Sequence, residues 1–305
     1  MTVDCIGIDI GYGFTKTCRL DKTQMFPTAV AQMTRESTFT EMSPVVVNGQ
    51  RYLVGDEAER EGNTLDTCQS SFVASGPWLA VLAQCLKIND FVRGEIMMGV
   101  PPGLYSSKYC QGILEAIRAS DMRINGKAYR VSGNVRIIPQ GAGIYFSHVK
   151  DHPEDDKKNV AVIDIGHRTM DMVFFSGGTY VESAYQSREI GMSVVLGSIM
   201  NAFYQEHRHP IGFRAALAIL QGAQVSYLGD TCEMDVREEI DAYGKRIRSV
   251  MDHYLEKLPA HPDIGIIGGG GAVIKDIATG HNLIVAADPV MANAIGYCHY
   301  GSRPR

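Results

Sequence analysis

The feature that most constrains this chain is a pattern it carries twice. Cys5-Ile6-Gly7-Ile8-Asp9-Ile10-Gly11-Tyr12-Gly13-Phe14-Thr15-Lys16 is answered by Ala161-Val162-Ile163-Asp164-Ile165-Gly166-His167-Arg168-Thr169-Met170-Asp171, with Asp9 and Asp164 155 positions apart. Each copy is an apolar run that ends in Asp-Ile-Gly and is followed by a threonine. An apolar run stopped by glycine predicts a buried strand entering a tight turn. Glycine there lets a ligand approach the backbone closely, and successive N–H groups in such a turn suit phosphate oxygens. An aspartate at the strand end can hold Mg²⁺ through its waters. Two such turns point to two halves closing on one polyphosphate.

A chain of 305 residues has room for two ordinary domains, each with its own core. Apolar residues make up 45% and charged residues 21%, a globular composition. The net charge of −5 gives no drive toward non-specific nucleic-acid binding, and direct nucleic-acid binding is not expected. Seven cysteines, at positions 5, 18, 68, 85, 110, 232 and 298, form no C-x-x-C pair. Their odd number speaks against a disulfide framework and for a reducing, cytoplasmic setting. No window approaches 18 apolar residues and the first strand begins at once, so neither a membrane span nor a signal peptide is expected.

The first sixty residues read as β-rich. Thr17–Leu20 and Gln24–Val30 are extended stretches, and Val45–Val47 and Arg51–Val54 flank Asn48-Gly49, the signature of a type I′ hairpin. Glu57–Glu61, Trp78–Lys87 and Ser106–Arg118 read as helices, and Glu95–Val100 as a strand ending at Pro101-Pro102. Asn125-Gly126 marks a second hairpin. Val135–Ile138 is a strand running into Pro139-Gln140-Gly141-Ala142-Gly143 and a helix from Ile144. The polar run 151–158 reads as a solvated loop and inter-domain linker.

Beyond it, Val160–Asp164, Met172–Phe175 and Thr179–Ala184 are expected strands, with Ser193–Phe203, Phe213–Leu220 and Val236–Leu258 as helices. The strand Asp263–Ile267 meets Gly268-Gly269-Gly270-Gly271, followed by an expected helix over Ala272–Ala278 and a strand at Leu283–Ala286. A strand, a glycine loop and a helix start make an anion platform. It is neither a P-loop nor the dinucleotide fingerprint, because both spacings differ. The whole reads as α/β, sheets covered by helices. His207-Arg208-His209 offers two alternate histidines, a spacing more often found in a polar turn than in a metal site.

Taken together, these motifs resemble the actin-like ATPase superfamily, most closely its plasmid-segregation (ParM/StbA-type) and archaeal actin-like branches. Asp9–Lys16 resembles the first phosphate loop, Val135–Gly143 the first connecting segment and Asp164–Asp171 the second phosphate loop. Gly268–Gly271 resembles the adenosine loop and Asp288–Tyr297 the second connecting segment. All five occur in order over nearly the full length. The resemblance implies an actin-like (ribonuclease H-like) two-domain ATPase fold with the nucleotide cleft between domains. Domain I would comprise 1–150 plus 287–305, with a small β-rich subdomain at about 30–75, and domain II 159–286.

The resemblance also implies the site. Asp9 and Asp164 would hold hydrated Mg²⁺. Gly11, Tyr12, Gly13, Phe14 and Thr15, with Gly166, His167, Arg168, Thr169 and Asp171, would cradle the phosphates. Lys16 would neutralise their charge and Gln140 would orient the attacking water. Gly191 matches a glycine near the ribose, Arg214 lies where relatives contact adenine, and Gly268, Gly269, Gly270 and Gly271 would flank the nucleoside. ATP is the expected nucleotide, with GTP the other candidate. His167 and Arg168 stand where the family carries small residues. Arg168 either reaches the γ-phosphate, in which case Arg168→Ala lowers turnover more than binding, or points outward and bridges domains. The function implied is an ATPase that polymerises into filaments, serving plasmid DNA segregation through a DNA-bound adaptor protein. The alternatives are a small-molecule kinase of the same superfamily and a non-filament ATP-dependent switch.

Overall fold

The computed structural model describes residues 3–34, 42–69, 71–124, 126–131, 133–227, 230–274 and 282–303. The chain divides into two compact units, Met1–Asp156 together with Val290–Arg305, and Lys157–Pro289.

The first unit contains strands β1 (Cys5–Ile10), β2 (Phe14–Arg19), β3 (Lys22–Pro27), β4 (Val30–Gln32), β5 (Val45–Val47) and β6 (Gln50–Val54), followed by helices α1 (Asp56–Glu61) and α2 (Gly76–Ile88). Strand β7 (Glu95–Val100), helix α3 (Ser107–Ala119), strands β8 (Met122–Ile124), β9 (Lys127–Tyr129) and β10 (Val135–Pro139), helix α4 (Ala142–Asp151) and the C-terminal helix Ala292–Ser302 complete it. One sheet runs β10-β7-β1-β2-β3 and a second β4-β6-β5-β8-β9.

Strands β1, β7 and β10 are mutually parallel, which suits a sheet covered on both faces. Period-2 alternation divides β1: Ile6 and Ile8 enter the core built around α2, while Cys5 packs with Met97 of β7 and Tyr297 of the C-terminal helix. Asp9 therefore shares the face that the C-terminal helix covers. Helix α2 is apolar nearly all round, because it packs against strands of both sheets. Ser75 caps it, accepting from the Trp78 N–H. The Asn48-Gly49 hairpin forms as its sequence requires, with φ of 50° and 78°. The equivalent turn of β8–β9 includes Asn125, outside the described residues.

The second unit contains strands β11 (Asn159–Ile165), β12 (Met170–Ser176), β13 (Thr179–Tyr180) and β14 (Gln186–Arg188), then helices α5 (Met192–His207) and α6 (Phe213–Leu220). The hairpin β15 (Val225–Tyr227) and β16 (Asp230–Cys232) precedes helix α7 (Arg237–Leu255), β17 (Ile264–Gly269) and β18 (Leu283–Val285). Its sheet runs β13-β12-β11-β17-β18, with β14 also pairing β12. Ala161, Ile163 and Ile165 face the core formed with α5, α6 and α7, which places Val160, Val162 and Asp164 on the opposite face.

Some expectations change. The strand expected over Thr179–Ala184 pairs only at Thr179–Tyr180, and Glu182–Ala184 is a 3-10 turn. Gly268 and Gly269 are the last residues of β17 rather than loop, and Gly270–Ile274 is 3-10. The remainder of the helix expected to Ala278 lies outside the described residues. The polar run is solvated as expected except at Asp155, but it is not irregular: Pro153–Lys157 is a 3-10 helix, and buried Asp155 lies 2.7 Å from His148 Nε2.

Candidate functional site

The two repeated turns are the same turn, position for position. In the first, the Gly11 N–H donates to the Phe14 carbonyl at 3.2 Å; in the second, the Gly166 N–H donates to the Thr169 carbonyl at 2.8 Å. Cross-strand registers agree as well: Asp9 stands opposite Lys16, and Asp164 opposite Asp171. This alignment corrects the threonine equivalence. Thr15 is the counterpart of Met170, and Thr169 that of Phe14. Buried Thr15 spends its hydroxyl on the Thr28 hydroxyl at 2.8 Å, whereas Thr169 Oγ1 donates to Asp171 Oδ2 at 2.8 Å.

In the first unit, three of the expected site residues meet. Asp9 is buried at the carboxyl end of β1. Lys16 Nζ donates to its Oδ2 at 3.1 Å and Gln140 Nε2 to its Oδ1 at 3.1 Å. A buried carboxylate needs such partners, because desolvation without them costs several kcal/mol or more. Gln140 is placed by the end of β10: its N–H donates to Val100 O at 2.8 Å. Gly141 then adopts φ 83°, which glycine accepts without strain. The Gly141 N–H is satisfied by Asn293 Oδ1 of the C-terminal helix at 3.1 Å. Asn293 is a site-supporting residue that the motif reading did not single out. That helix comes so close to α4 that a Cβ on Gly143 would lie 2.5 Å from Asn293 O.

In the second unit, Asp164 closes β11 beside its parallel partner Gly268. Gly269, at φ 61°, tucks under the turn, and a Cβ there would come 2.2 Å from Ile165 O and 2.9 Å from Asp164 Oδ1. Helix α5 braces the same turn from its N-terminus. The N–H groups of Gly191, Met192 and Ser193 donate to the carbonyls of Arg168, Gly166 and His167 at 2.9, 2.9 and 2.8 Å. Helix-start donors with no intrahelical partner are thereby satisfied. Gly191 thus supports the turn directly; a Cβ there would meet His167 O at 2.5 Å.

The turns differ in charge. The first sets an acid against a base, the second sets two acids opposite one another. Burial pushes the Asp171 carboxyl up from its ordinary value, partly offset by hydrogen bonds from Ser187 and Thr169. His167 lies edge-on to Phe213 with ring centroids 4.6 Å apart. Arg168, aligned with Gly13, pairs with exposed Glu189 at 2.9 Å. Neither Phe213 nor Glu189 carries a sequence signal linking it to the turn.

Other candidates resolve structurally. Arg208 ends α5 at φ 60°, and the His207 ring packs on Phe203 at 4.3 Å. Among the described residues no cluster of three His, Cys, Asp or Glu could hold a metal. Mg²⁺ needs none: it keeps several waters and takes one or two carboxylates beside substrate phosphates. The hard oxygen donors of Asp9 and Asp164 fit that ion. A recess of about 440 Å³ is lined by α7 residues including Lys245, His253 and Glu256. It contains none of the turn residues.

Residues 7–143 match the family described as "Actin like proteins N terminal domain". No curated protein sequence matches the chain. An archaeal actin homolog solved in complex with ADP is similar at 20% identity, covering 97% of this chain and 98% of the other, with a TM-score of 0.81. A ParM from Clostridium botulinum, solved as a 15-stranded filament, is similar at 19% identity over 99% of both chains, TM-score 0.77. Bacillus thuringiensis ParM with AMPPNP is similar at 12% identity over 98% of both, TM-score 0.72. At these identities the likeness is one of fold.

Proposed function

We propose that this chain, which has the actin-like fold, is an ATPase that binds Mg-ATP through its two repeated turns and assembles into filaments. The observation that carries the reading is the meeting of Asp9, Lys16 and Gln140, drawn from three segments to the carboxyl ends of parallel strands. In open α/β sheets, ligands bind at those ends. A carboxylate, a cation and an amide are what phosphoryl transfer to water requires, since positioning and electrostatics supply most of the catalysis. The ADP and AMPPNP complexes of proteins with this fold support the nucleotide assignment.

Asp9 and Asp164 would hold the hydrated ion, which would supply positive charge to offset that of the phosphates. Lys16, already beside Asp9, moves its charge toward the phosphates. The Gln140 amide, 3.1 Å from Asp9, orients the attacking water. The turn N–H groups other than those of Gly11 and Gly166, which close the turns themselves, cradle the phosphates, with α5 holding the second turn from behind. Gly191 and Gly268–Gly271 border the nucleoside.

Filament assembly rests on the ParM filament of the same fold, and service to plasmid DNA through an adaptor on the same branch of the resemblance. The chain acts in the cytoplasm, without a membrane role; no helix among the described residues is long and apolar enough to cross one. Sedimentation and electron microscopy with Mg-ATP, Mg-ADP and no nucleotide test the reading. Filaments with Mg-ATP that disassemble as phosphate is released are expected. Monomers at every concentration with ATP bound would overturn assembly and leave a nucleotide switch, and a phosphorylated small molecule would identify a kinase.

A further inference from the structure

The cysteines expected to be reduced are not equivalent. Cys18 of β2 and Cys298 of the C-terminal helix pack together with Ala294 in one buried cluster. The Cys298 thiol also lies 3.4 Å from the carbonyl oxygen of Cys5. Cys298 retains 8% exposure and Cys18 only 1%, so an oxidant meets Cys298 first. We propose that Cys18 and Cys298 are a redox modification site, at which a hydroperoxide converts the two thiols into a disulfide tying β2 to the C-terminal helix.

The chemistry is ordered by the environment. Burial pushes the thiols of Cys5, Cys85 and Cys110 up. Cys298 is instead lowered, chiefly through the adjoining Cys18 thiol, with the Leu20 N–H adding to it. A thiolate, not a thiol, is the nucleophile. Cys298 Sγ attacks one peroxide oxygen, the O–O bond breaks, and the departing oxygen leaves as water or alcohol after taking a proton. The sulfenic acid that remains is attacked by Cys18 Sγ; its S–O bond breaks and hydroxide leaves with the Cys18 proton as water. The two thiols lose two electrons, and the peroxide gains them. Cys5, against the same helix, is the competing partner, and its thiol stays protonated at about 12.

The inference is independent of nucleotide chemistry. The full chain is treated with stoichiometric hydrogen peroxide, acid-quenched, unfolded, alkylated and digested for mass spectrometry. The expected result is a peptide pair joining Cys18 to Cys298, a loss of two of the seven thiols, and full reversal by dithiothreitol. Cys298→Ser should abolish the pair and Cys110→Ser should leave it. Alkylation of both Cys18 and Cys298 in the oxidised sample would overturn the proposal. So would a Cys5 linkage, a bond between two chains, or oxidation of Cys298 to sulfinic acid with Cys18 still free. The wild-type chain alone decides the outcome, so misfolding of a variant does not.

Discussion

Gln140 Nε2 donates to Asp9 Oδ1 at 3.1 Å, across 131 positions of sequence. The contact joins the loop after β10 to the end of β1, and Lys16 closes it from the other carboxylate oxygen. Asp9 thus organises both groups.

Lys16 and Asp9 form an ion pair with side-chain exposures of 17% and 5%. Lys16→Ala leaves the carboxylate with the Gln140 amide alone, so unfolding free energy should fall by about 2 kcal/mol. Asp9→Asn in the Lys16→Ala background should restore part of that loss. A double-mutant cycle in urea should therefore show a coupling of about 1 kcal/mol.

Gly269 and Gly49 both have positive φ, 61° and 78°, but only Gly269 is crowded. Gly49→Ala adds backbone strain in open space and should cost about 1 kcal/mol. Gly269→Ala adds a Cβ against Ile165 O and Asp164 Oδ1 and should cost at least about 3 kcal/mol. Thermal melts of the two variants, compared with the parent, test the difference.

The Asp171 carboxyl is raised by burial in the folded chain. A raised folded value means that its contribution is favourable below the unfolded carboxylate value of 3.8 and is lost as pH rises through the folded value. Asp171→Asn should therefore be more stable than the parent at pH 7, with the gain shrinking toward pH 4. Denaturant titrations at the two pH values measure it, and an unchanged gap would place the raised carboxyl elsewhere.

The Arg168–Glu189 pair is exposed, with side-chain exposures of 46% and 75%. Arg168→Ala should change stability by less than about 0.5 kcal/mol, and with Glu189 holding the guanidinium it should leave ATP turnover within a factor of about two. Loss of turnover with retained binding would show that the arginine leaves Glu189 for the phosphate.

The two Asp-Ile-Gly turns were legible because an apolar run stopped by glycine has few alternative readings, and α2 and the Asn48-Gly49 hairpin carried equally local signals. What the chain concealed is register and long-range partnership. Thr15 and Thr169 look equivalent in sequence, yet antiparallel pairing puts Phe14 opposite Pro27 and Thr15 opposite Ile10, so only Thr169 bonds an acid of its own turn. Strand β14 is Gln186-Ser187-Arg188, without apolar alternation, and only its pairing with β12 reveals it. The bracing by Asn293, Gly191 and α5 depends on tertiary contacts that no spacing encodes. The polar run 151–158 has the composition of a loop, which hides both its 3-10 turn and the burial of Asp155 beside His148.

The measurement that bears most directly on the central claim pairs calorimetric titration of Mg-ATP with phosphate release, for the parent chain and Gln140→Ala. The account predicts that both bind Mg-ATP, that the parent releases phosphate, and that misplacing the water in Gln140→Ala lowers turnover by about 100-fold with affinity little changed. No binding of Mg-ATP by the parent at millimolar nucleotide, or equal turnover in both proteins, would contradict it.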